Sequence, residues 1–203
     1  TGYTVAQLET AVASHTTDIL TALSVQGITP KWVQIGNETN DGMLWTTGKA
    51  SAGGFSNYAK FLNAGSNAVK TYNSAIKTIL HIASGNDNSL FRWNIDGLLN
   101  NGFVFNRFDI IGMSLYPNET NWLSMVDDTY DNMIDLKTRY NKDVMMVEVG
   151  FSNSKPDISH QFLTYMIEKT RQANGHGIFY WEPIARSPFT SYSKGAWDQD
   201  GSP

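Results

Sequence analysis

Two glutamates stand where apolar, strand-like runs of the chain give way to polar residues. Glu38 closes the run Trp32-Val33-Gln34-Ile35-Gly36-Asn37-Glu38, and Glu148 closes Val144-Met145-Met146-Val147-Glu148. A carboxylate at the end of a buried strand is partly shielded from water, and such settings can separate the pKa values of two acids. Cleavage of a glycosidic bond needs one acid that protonates the leaving oxygen and one carboxylate that attacks or activates water. The pair therefore indicates glycosidase chemistry.

Apolar runs and helical periodicity alternate along the chain. Strands are predicted over Trp32 to Gly36, Thr78 to Ala83, Phe108 to Leu115, Val144 to Val149 and Gly177 to Trp181. Helices are predicted over Thr4 to Gln26, Asn57 to Tyr72, Ser89 to Asn101, Trp122 to Tyr140 and Ser159 to Asn174. The predicted element order is α(βα)4β.

The predicted strands are apolar almost throughout, which is typical of a parallel sheet covered on both faces by crossover helices. Polar and aromatic residues gather in the loops that follow the strands, whereas the loops before the strands are short. Parallel α/β folds place their sites at the carboxyl ends of the strands. We therefore expect both glutamates to face one pocket at that edge of the sheet.

The chain is too short for a complete (β/α)8 barrel. Successive strand ends lie about 30 to 45 residues apart, so eight such units would need well over the 203 residues present. This chain length is compatible with two architectures of the α/β class. One is an open five-stranded sheet, and the other is the C-terminal part of a barrel whose first three strands lie outside the chain.

Composition limits the class of protein. With 203 residues, 41% hydrophobic and 17% charged, the chain can bury one sizeable core, so we expect one domain. The net charge is −4 and no basic cluster occurs, which argues against a nucleic-acid partner. No apolar run approaches the roughly 20 residues of a membrane span. There is no Cys, which excludes disulfides and thiolate metal sites.

Five sequence blocks occur in an order that is typical of a known family. They are Val33 to Glu38, Gly42 to Trp45, Asp109 to Pro117, Val147-Glu148 and Gly177 to Pro183. Together they resemble the arabinogalactan endo-β-1,4-galactanases, glycoside hydrolase family 53, in the clan of retaining (β/α)8 glycosidases. The resemblance implies a TIM barrel of which residues 1–203 form the C-terminal part, about strands 4 to 8 of a single catalytic domain. It implies endo-hydrolysis of β-1,4-galactan by double displacement.

The resemblance assigns roles to individual residues. It makes Glu38 the general acid/base and Glu148 the nucleophile. Asn37 would donate to the 2-hydroxyl of the sugar, with a strand-ending turn as its alternative role. Tyr116 would hydrogen-bond the nucleophile, and Trp181 would lie under the reacting sugar. An ordinary interfacial Tyr and a core Trp are the corresponding alternatives.

Four further residues are weaker candidates for the substrate site. His81, central in an apolar strand, either supports the site from behind or is a passive core residue. Trp45, Asn86 and Asp87 lie on loops after strands and could line outer sugar sites, although solvated loop positions are equally plausible for Asn86 and Asp87.

We expect no cofactor and no metal. Some relatives carry a calcium loop after strand 7, but the corresponding segment here, Phe151 to Asp157, is short. The expected partners are β-1,4-galactan and galacto-oligosaccharides, and the full-length protein should be a monomer. The resemblance implies a secreted or cell-surface protein of bacterial type. The absence of the early strands makes activity of these 203 residues alone doubtful.

Three other functions compete with galactan hydrolysis. A related retaining enzyme, such as a mannanase, xylanase or cellulase, would share the two glutamates but differ in its loops. A non-catalytic carbohydrate-binding relative would keep the aromatic residues and bind without turnover. A nucleotide-binding α/β domain would need a Gly-rich phosphate turn, and neither G-x-G-x-x-G nor G-x-x-x-x-G-K-[ST] occurs.

Overall fold

The computed structural model describes residues 2–185 and 190–196. Its helices and strands alternate along the chain in the order α(βα)4β, as the sequence predicts. The strands are β1 (Trp32–Ile35), β2 (Lys77–Ile82), β3 (Ile110–Leu115), β4 (Asp143–Val149) and β5 (Ile178–Tyr180). The helices are α1 (Val5–Val25), α2 (Phe55–Tyr72), α3 (Asn88–Leu99), α4 (Trp122–Tyr140) and α5 (Pro156–Gln172). Short 3-10 turns form at Ala50–Ala52 and Phe105–Arg107.

The five strands form one sheet in the order β1-β2-β3-β4-β5, so each strand neighbours the next one in sequence. Parallel pairing aligns Ile35 of β1 with Leu80 of β2, and Val149 of β4 with Tyr180 of β5. β3 is buried along its whole length and β2 at all but its first residue, as expected for strands covered on both faces. The first and last strands, β1 and β5, are more exposed.

By packing, the chain divides into two compact units. Unit 1 comprises Thr1–Ile82 and Ser89–Ile111, and unit 2 comprises Ala83–Asn88 and Gly112–Pro203. In unit 1, α1 packs on α2, and Gly65 lets α2 approach β1 closely, because an added Cβ would lie 2.7 Å from Cγ2 of Ile35. In unit 2, α4 packs on α5, and the rings of Phe151 and Phe162 lie 5.4 Å apart in the core.

Local signals explain most element boundaries. Thr4 caps α1 by a reciprocal pair of hydrogen bonds with Gln7, and the chain leaves the helix at Gly27, where φ is +74°. Three helices begin earlier than predicted, α2 at Phe55, α3 at Asn88 and α5 at Pro156. Pro156 occupies the first turn of α5, where its missing N–H costs nothing. The loop after β5, for which the sequence predicts polar and aromatic residues from Glu182 to Trp197, lies partly outside the described residues.

An ion pair joins α2 to the segment before β3. The Lys70 ammonium lies 2.7 Å from Oδ2 of Asp109, which also accepts the Thr78 N–H, while Lys77 lies 3.1 Å from the other oxygen. Burial alone would raise the pKa of Asp109, but the hydrogen bonds from Lys70, Thr78 and Lys77 outweigh it and lower that pKa. The contacts fix the start of β3 against β2.

No helix among the described residues combines the length and hydropathy of a membrane span.

Candidate active site

The turn after β1 carries the first glutamate. Gly36 has φ of +77°, and a Cβ there would lie 2.6 Å from Cγ2 of Thr39, so the position requires glycine. Glu38 itself has φ of +44°, a left-handed conformation that is uncommon for a residue with a side chain. The Gln34 amide donates to the Gly36 carbonyl and to Oδ1 of Asn37. The amide nitrogen of the exposed Asn37 is thereby oriented by its neighbour in β1.

His81 of β2 contacts this turn directly. The backbone N–H of Glu38 donates to Nδ1 of His81 at 3.3 Å, and the imidazole is fully buried. Burial lowers the pKa of His81 to about 4, although the Glu38 carboxylate acts in the opposite direction. The ring is therefore neutral at physiological pH, and because Nδ1 accepts, its proton resides on Nε2.

A buried polar network holds the residue that follows Glu38. Thr39 donates both its N–H and its hydroxyl to the His81 carbonyl at 2.9 Å. The Tyr58 hydroxyl donates to Oγ1 of Thr39 at 2.7 Å, and the Asn94 amide donates to the carbonyls of Thr39 and Asn40 at 2.9 Å. Burial is the main cause that raises the pKa of Tyr58, so its phenol stays protonated. Every one of these groups belongs to unit 1.

The second glutamate lies near the end of β4 in unit 2. Glu148 is half-buried, and the Tyr116 hydroxyl, from the segment directly after β3, donates a short hydrogen bond to its Oε1. Burial, followed by the contacts with Glu148 and Tyr192, raises the pKa of Tyr116. The phenol therefore remains a donor at any physiological pH. A donor of this kind favours an ionised carboxylate, which is the form that acts as a nucleophile.

Tyr192 was missed by sequence reasoning. Its hydroxyl lies in hydrogen-bonding contact with Tyr116 and 3.4 Å from the Trp181 carbonyl. Gly150 makes room for this arrangement, since a Cβ there would lie 2.6 Å from Cε1 of Tyr116 and 2.8 Å from the Tyr192 hydroxyl. Trp181 follows β5, donates its N–H to the Val149 carbonyl and is 47% exposed, so it is not a core residue.

The remaining candidates lie on loops. Trp45 is 65% exposed in unit 1, with the Lys49 ammonium 5.4 Å from its ring centre. Asn86 and the exposed Asp87 lie on a turn of unit 2 whose Gly85 carbonyl accepts the amide of the buried Asn132. Oδ1 of Asn86 is buried without a partner among the described residues.

Within each unit, the structure places several predicted residues together. In unit 1 these are Asn37, Glu38 and His81, and in unit 2 they are Tyr116 and Glu148, with Trp181 linked through Tyr192. The roles assigned to all nine residues stay predictions. Sequence reasoning missed Thr39, Tyr58 and Asn94 because they lie on three separate elements and match no motif. An aromatic residue in the loop after the last strand was the one signal for Tyr192.

Comparison with known proteins gives the family. The family model described as Glycosyl hydrolase family 53 matches residues 1–163. The chain is 30% identical to an arabinogalactan endo-beta-1,4-galactanase of Cellvibrio japonicus, over 95% of this chain and 57% of that protein. It is 29% identical to arabinogalactan endo-beta-1,4-galactanase A of Aspergillus niger, over 90% of this chain and 58% of that protein.

Comparison with solved structures gives the fold. A structure from a study of two fungal beta-1,4-galactanases matches with a TM-score of 0.86 at 23% identity, covering 98% of this chain and 67% of that chain. The prediction of the TIM-barrel fold class is thereby confirmed. The chain spans a little over half the length of the relatives it matches in sequence. Its family model covers most of its residues, and the chain belongs to glycosyl hydrolase family 53.

Proposed function

We propose that the protein is a retaining endo-β-1,4-galactanase. The observation that carries the proposal is the placement of one glutamate directly after β1 and another near the end of β4 in a family 53 chain. Relatives at 29–30% identity are named arabinogalactan endo-beta-1,4-galactanases, which supports galactan as the polymer. The proposal concerns the full-length product of the gene that encodes this chain.

In the first step, Glu148 attacks the anomeric carbon of the reacting galactose. The carboxylate forms a covalent bond to that carbon while the bond to the leaving oxygen breaks. The Tyr116 hydroxyl keeps Glu148 ionised and fixes the orientation of the attacking oxygen. Gly150 supports this function because it leaves room for the Tyr116 ring, and Tyr192 supports it through its hydrogen-bonding contact with Tyr116.

Glu38 acts twice on the same linkage. It first donates its proton to the leaving glycosidic oxygen, and then, as a carboxylate, takes a proton from the water that attacks the covalent intermediate. Cleavage and hydrolysis each invert the anomeric carbon, so the product keeps the β configuration. Asn37, oriented by Gln34, donates to the sugar 2-hydroxyl, where hydrogen bonds strengthen in the transition state. The cycle needs only two carboxylates and water, so no cofactor enters it.

Exposed aromatic side chains supply the contacts to the sugar chain. Trp181 and Trp45 present apolar ring faces to which the C–H faces of galactose can bind. Asn86 and Asp87 would contribute polar contacts at outer sugar positions. A polysaccharide does not cross a membrane, so we place the enzyme outside the cell or at its surface.

Defined polysaccharides test the proposal. The full-length protein should release galacto-oligosaccharides from β-1,4-galactan, with a rapid fall in viscosity that marks internal cleavage. Mannan, xylan and cellulose should remain intact. Release of sugar from one of those polymers instead would identify a related retaining enzyme. Tight binding of galactan without any product would identify a non-catalytic carbohydrate-binding protein.

A further inference from the structure

We propose that His81, Thr39, Tyr58 and Asn94 form a positioning network that fixes the turn carrying the acid/base Glu38. The inference rests on the proposed function, because it concerns how that carboxyl is oriented for proton transfer. The four residues do not touch the substrate in this account. They act through the main chain of residues 38–40, which they hold from the buried side.

The turn needs such support because its backbone is strained. Glu38 has φ of +44°, and it lies beyond the β1–β2 ladder, which ends at the Ile35–Leu80 pair. A left-handed residue with a side chain persists only where its surroundings determine it. Here the determining contact comes from His81, one residue beyond Leu80. Its Nδ1 accepts the backbone N–H of Glu38 at 3.3 Å.

The imidazole suits this task for a chemical reason. Its neighbours in β2 are apolar and fully buried, so packing alone would favour Leu or Ile at position 81. An aliphatic side chain cannot accept the Glu38 N–H. A protonated imidazole cannot accept it either, because both ring nitrogens then carry hydrogen. Burial supports the required neutral form by lowering the pKa of His81 to about 4.

The rest of the network secures the next two residues. Both donors of Thr39 bond to the His81 carbonyl, so the same residue of β2 holds Glu38 through its ring and Thr39 through its backbone. The Tyr58 hydroxyl from α2 donates to Oγ1 of Thr39. The Asn94 amide from α3 donates to the carbonyls of Thr39 and Asn40. The turn is thereby tied to three regular elements, and Glu38 acquires the rigidity that proton transfer requires.

Substitutions at position 81 separate positioning from packing. In His81→Asn, the amide oxygen can take the place of Nδ1 as acceptor, whereas His81→Leu preserves apolar bulk without an acceptor. We expect His81→Leu to lower kcat on β-1,4-galactan by about tenfold or more, with KM within about twofold, and His81→Asn to retain clearly more kcat. The free energy of unfolding in urea should be at least as high for His81→Leu as for His81→Asn. If kcat instead followed stability, so that His81→Leu had a kcat equal to or higher than that of His81→Asn, the proposal would be overturned.

A second pair of variants keeps the test valid if both His81 variants fail to fold. Thr39→Val removes the hydroxyl that links the turn to His81 and Tyr58, while Thr39→Ser retains it. Thr170→Val in α5 is the matched control, because Thr170 is similarly buried and, among the described residues, its hydroxyl donates to the Met166 carbonyl of the same helix. We expect kcat to fall in Thr39→Val and to remain near the wild-type value in Thr39→Ser and Thr170→Val. Equal kcat in all three would contradict the proposal.

The tautomer of His81 tests the inference independently of activity. Imidazole ¹⁵N resonances of the labelled protein at neutral pH should show an unprotonated Nδ1 and a protonated Nε2. A protonated Nδ1 would exclude the bond from Glu38 even in a fully active enzyme. A wild-type protein that fails to cleave galactan would instead refute the proposed function, whatever the tautomer.

Discussion

The Tyr116 hydroxyl donates a hydrogen bond to Oε1 of Glu148. The two residues come from successive strands of the sheet, 32 residues apart in sequence. Burial, followed by the contacts with Glu148 and Tyr192, raises the pKa of Tyr116, so the phenol is protonated at physiological pH and can donate. A donor of this kind favours the ionised form of a carboxylate, which is the form that the proposed nucleophile Glu148 needs.

Removal of this donor should slow the chemistry without unfolding the protein. Tyr116→Phe keeps the ring and deletes the hydrogen bond to a charged group, worth about 1.5–3 kcal/mol, which corresponds to roughly a 10- to 100-fold fall in kcat. Tyr165→Phe is the matched control, since the part-buried Tyr165 hydroxyl also donates to a carboxylate, that of Asp127, at 2.7 Å. Steady-state kinetics on β-1,4-galactan should show a loss for Tyr116→Phe alone. Equal rates for the two variants would contradict the role of Tyr116.

Azide should distinguish the two glutamates by product. With an activated aryl β-galactoside, azide in Glu148→Ala takes the place of the missing nucleophile and should give the α-galactosyl azide. In Glu38→Ala, azide intercepts the covalent intermediate from the other face and should give the β-galactosyl azide. Loss of general acid/base catalysis should also lower galactan turnover of Glu38→Ala by about 10²–10⁴-fold. Nuclear magnetic resonance of the galactosyl azides identifies the anomer. A β azide from Glu148→Ala and an α azide from Glu38→Ala would exchange the two proposed roles.

His81 should make stability depend on mildly acidic pH. Its pKa falls from an ordinary 6.5 to about 4 in the folded protein, so between these values the unfolded chain binds the additional proton. The stabilisation is complete above about pH 6.5 and is lost as the pH falls toward 4, a change of up to about 3 kcal/mol. Urea unfolding of wild type and His81→Asn at pH 7 and 4.5 measures this. We expect the wild type to lose more stability than the variant, and parallel losses would refute the assignment.

Asp109 should contribute to stability through its pair with Lys70. Asp109→Asn leaves a partly buried ammonium without its counter-charge and should cost about 1–3 kcal/mol at neutral pH. Because the folded pKa of Asp109 is lowered, this stabilisation is present above the ordinary value of 3.8 and is lost at more acidic pH. The side chain of Asp127 is 47% exposed, against 21% for Asp109, so Asp127→Asn, which breaks the pair with Lys169, should cost less stability. Chemical denaturation that shows equal losses for both variants would contradict this account of Asp109.

Sequence patterns were sufficient for the order of the strands and helices because they are local. The apolar runs predict all five strands, and Gly27 marks the end of α1. The missed helix start at Pro156 also has a local cause, since the proline was assigned to a loop when it opens α5. Buried polar groups were harder to predict. Tyr58 and Asn94 lie 19 and 55 residues beyond Thr39 in sequence, and only tertiary packing brings their side chains to its oxygens.

The anomeric configuration of the first product tests the central claim most directly, because it reports whether Glu38 and Glu148 act in a double displacement. Proton nuclear magnetic resonance should follow galactan cleavage by the full-length protein at times shorter than mutarotation. We expect the β anomer to appear first and the α anomer to grow only later. An α anomer as the initial product would mean single displacement and would contradict the nucleophilic role of Glu148.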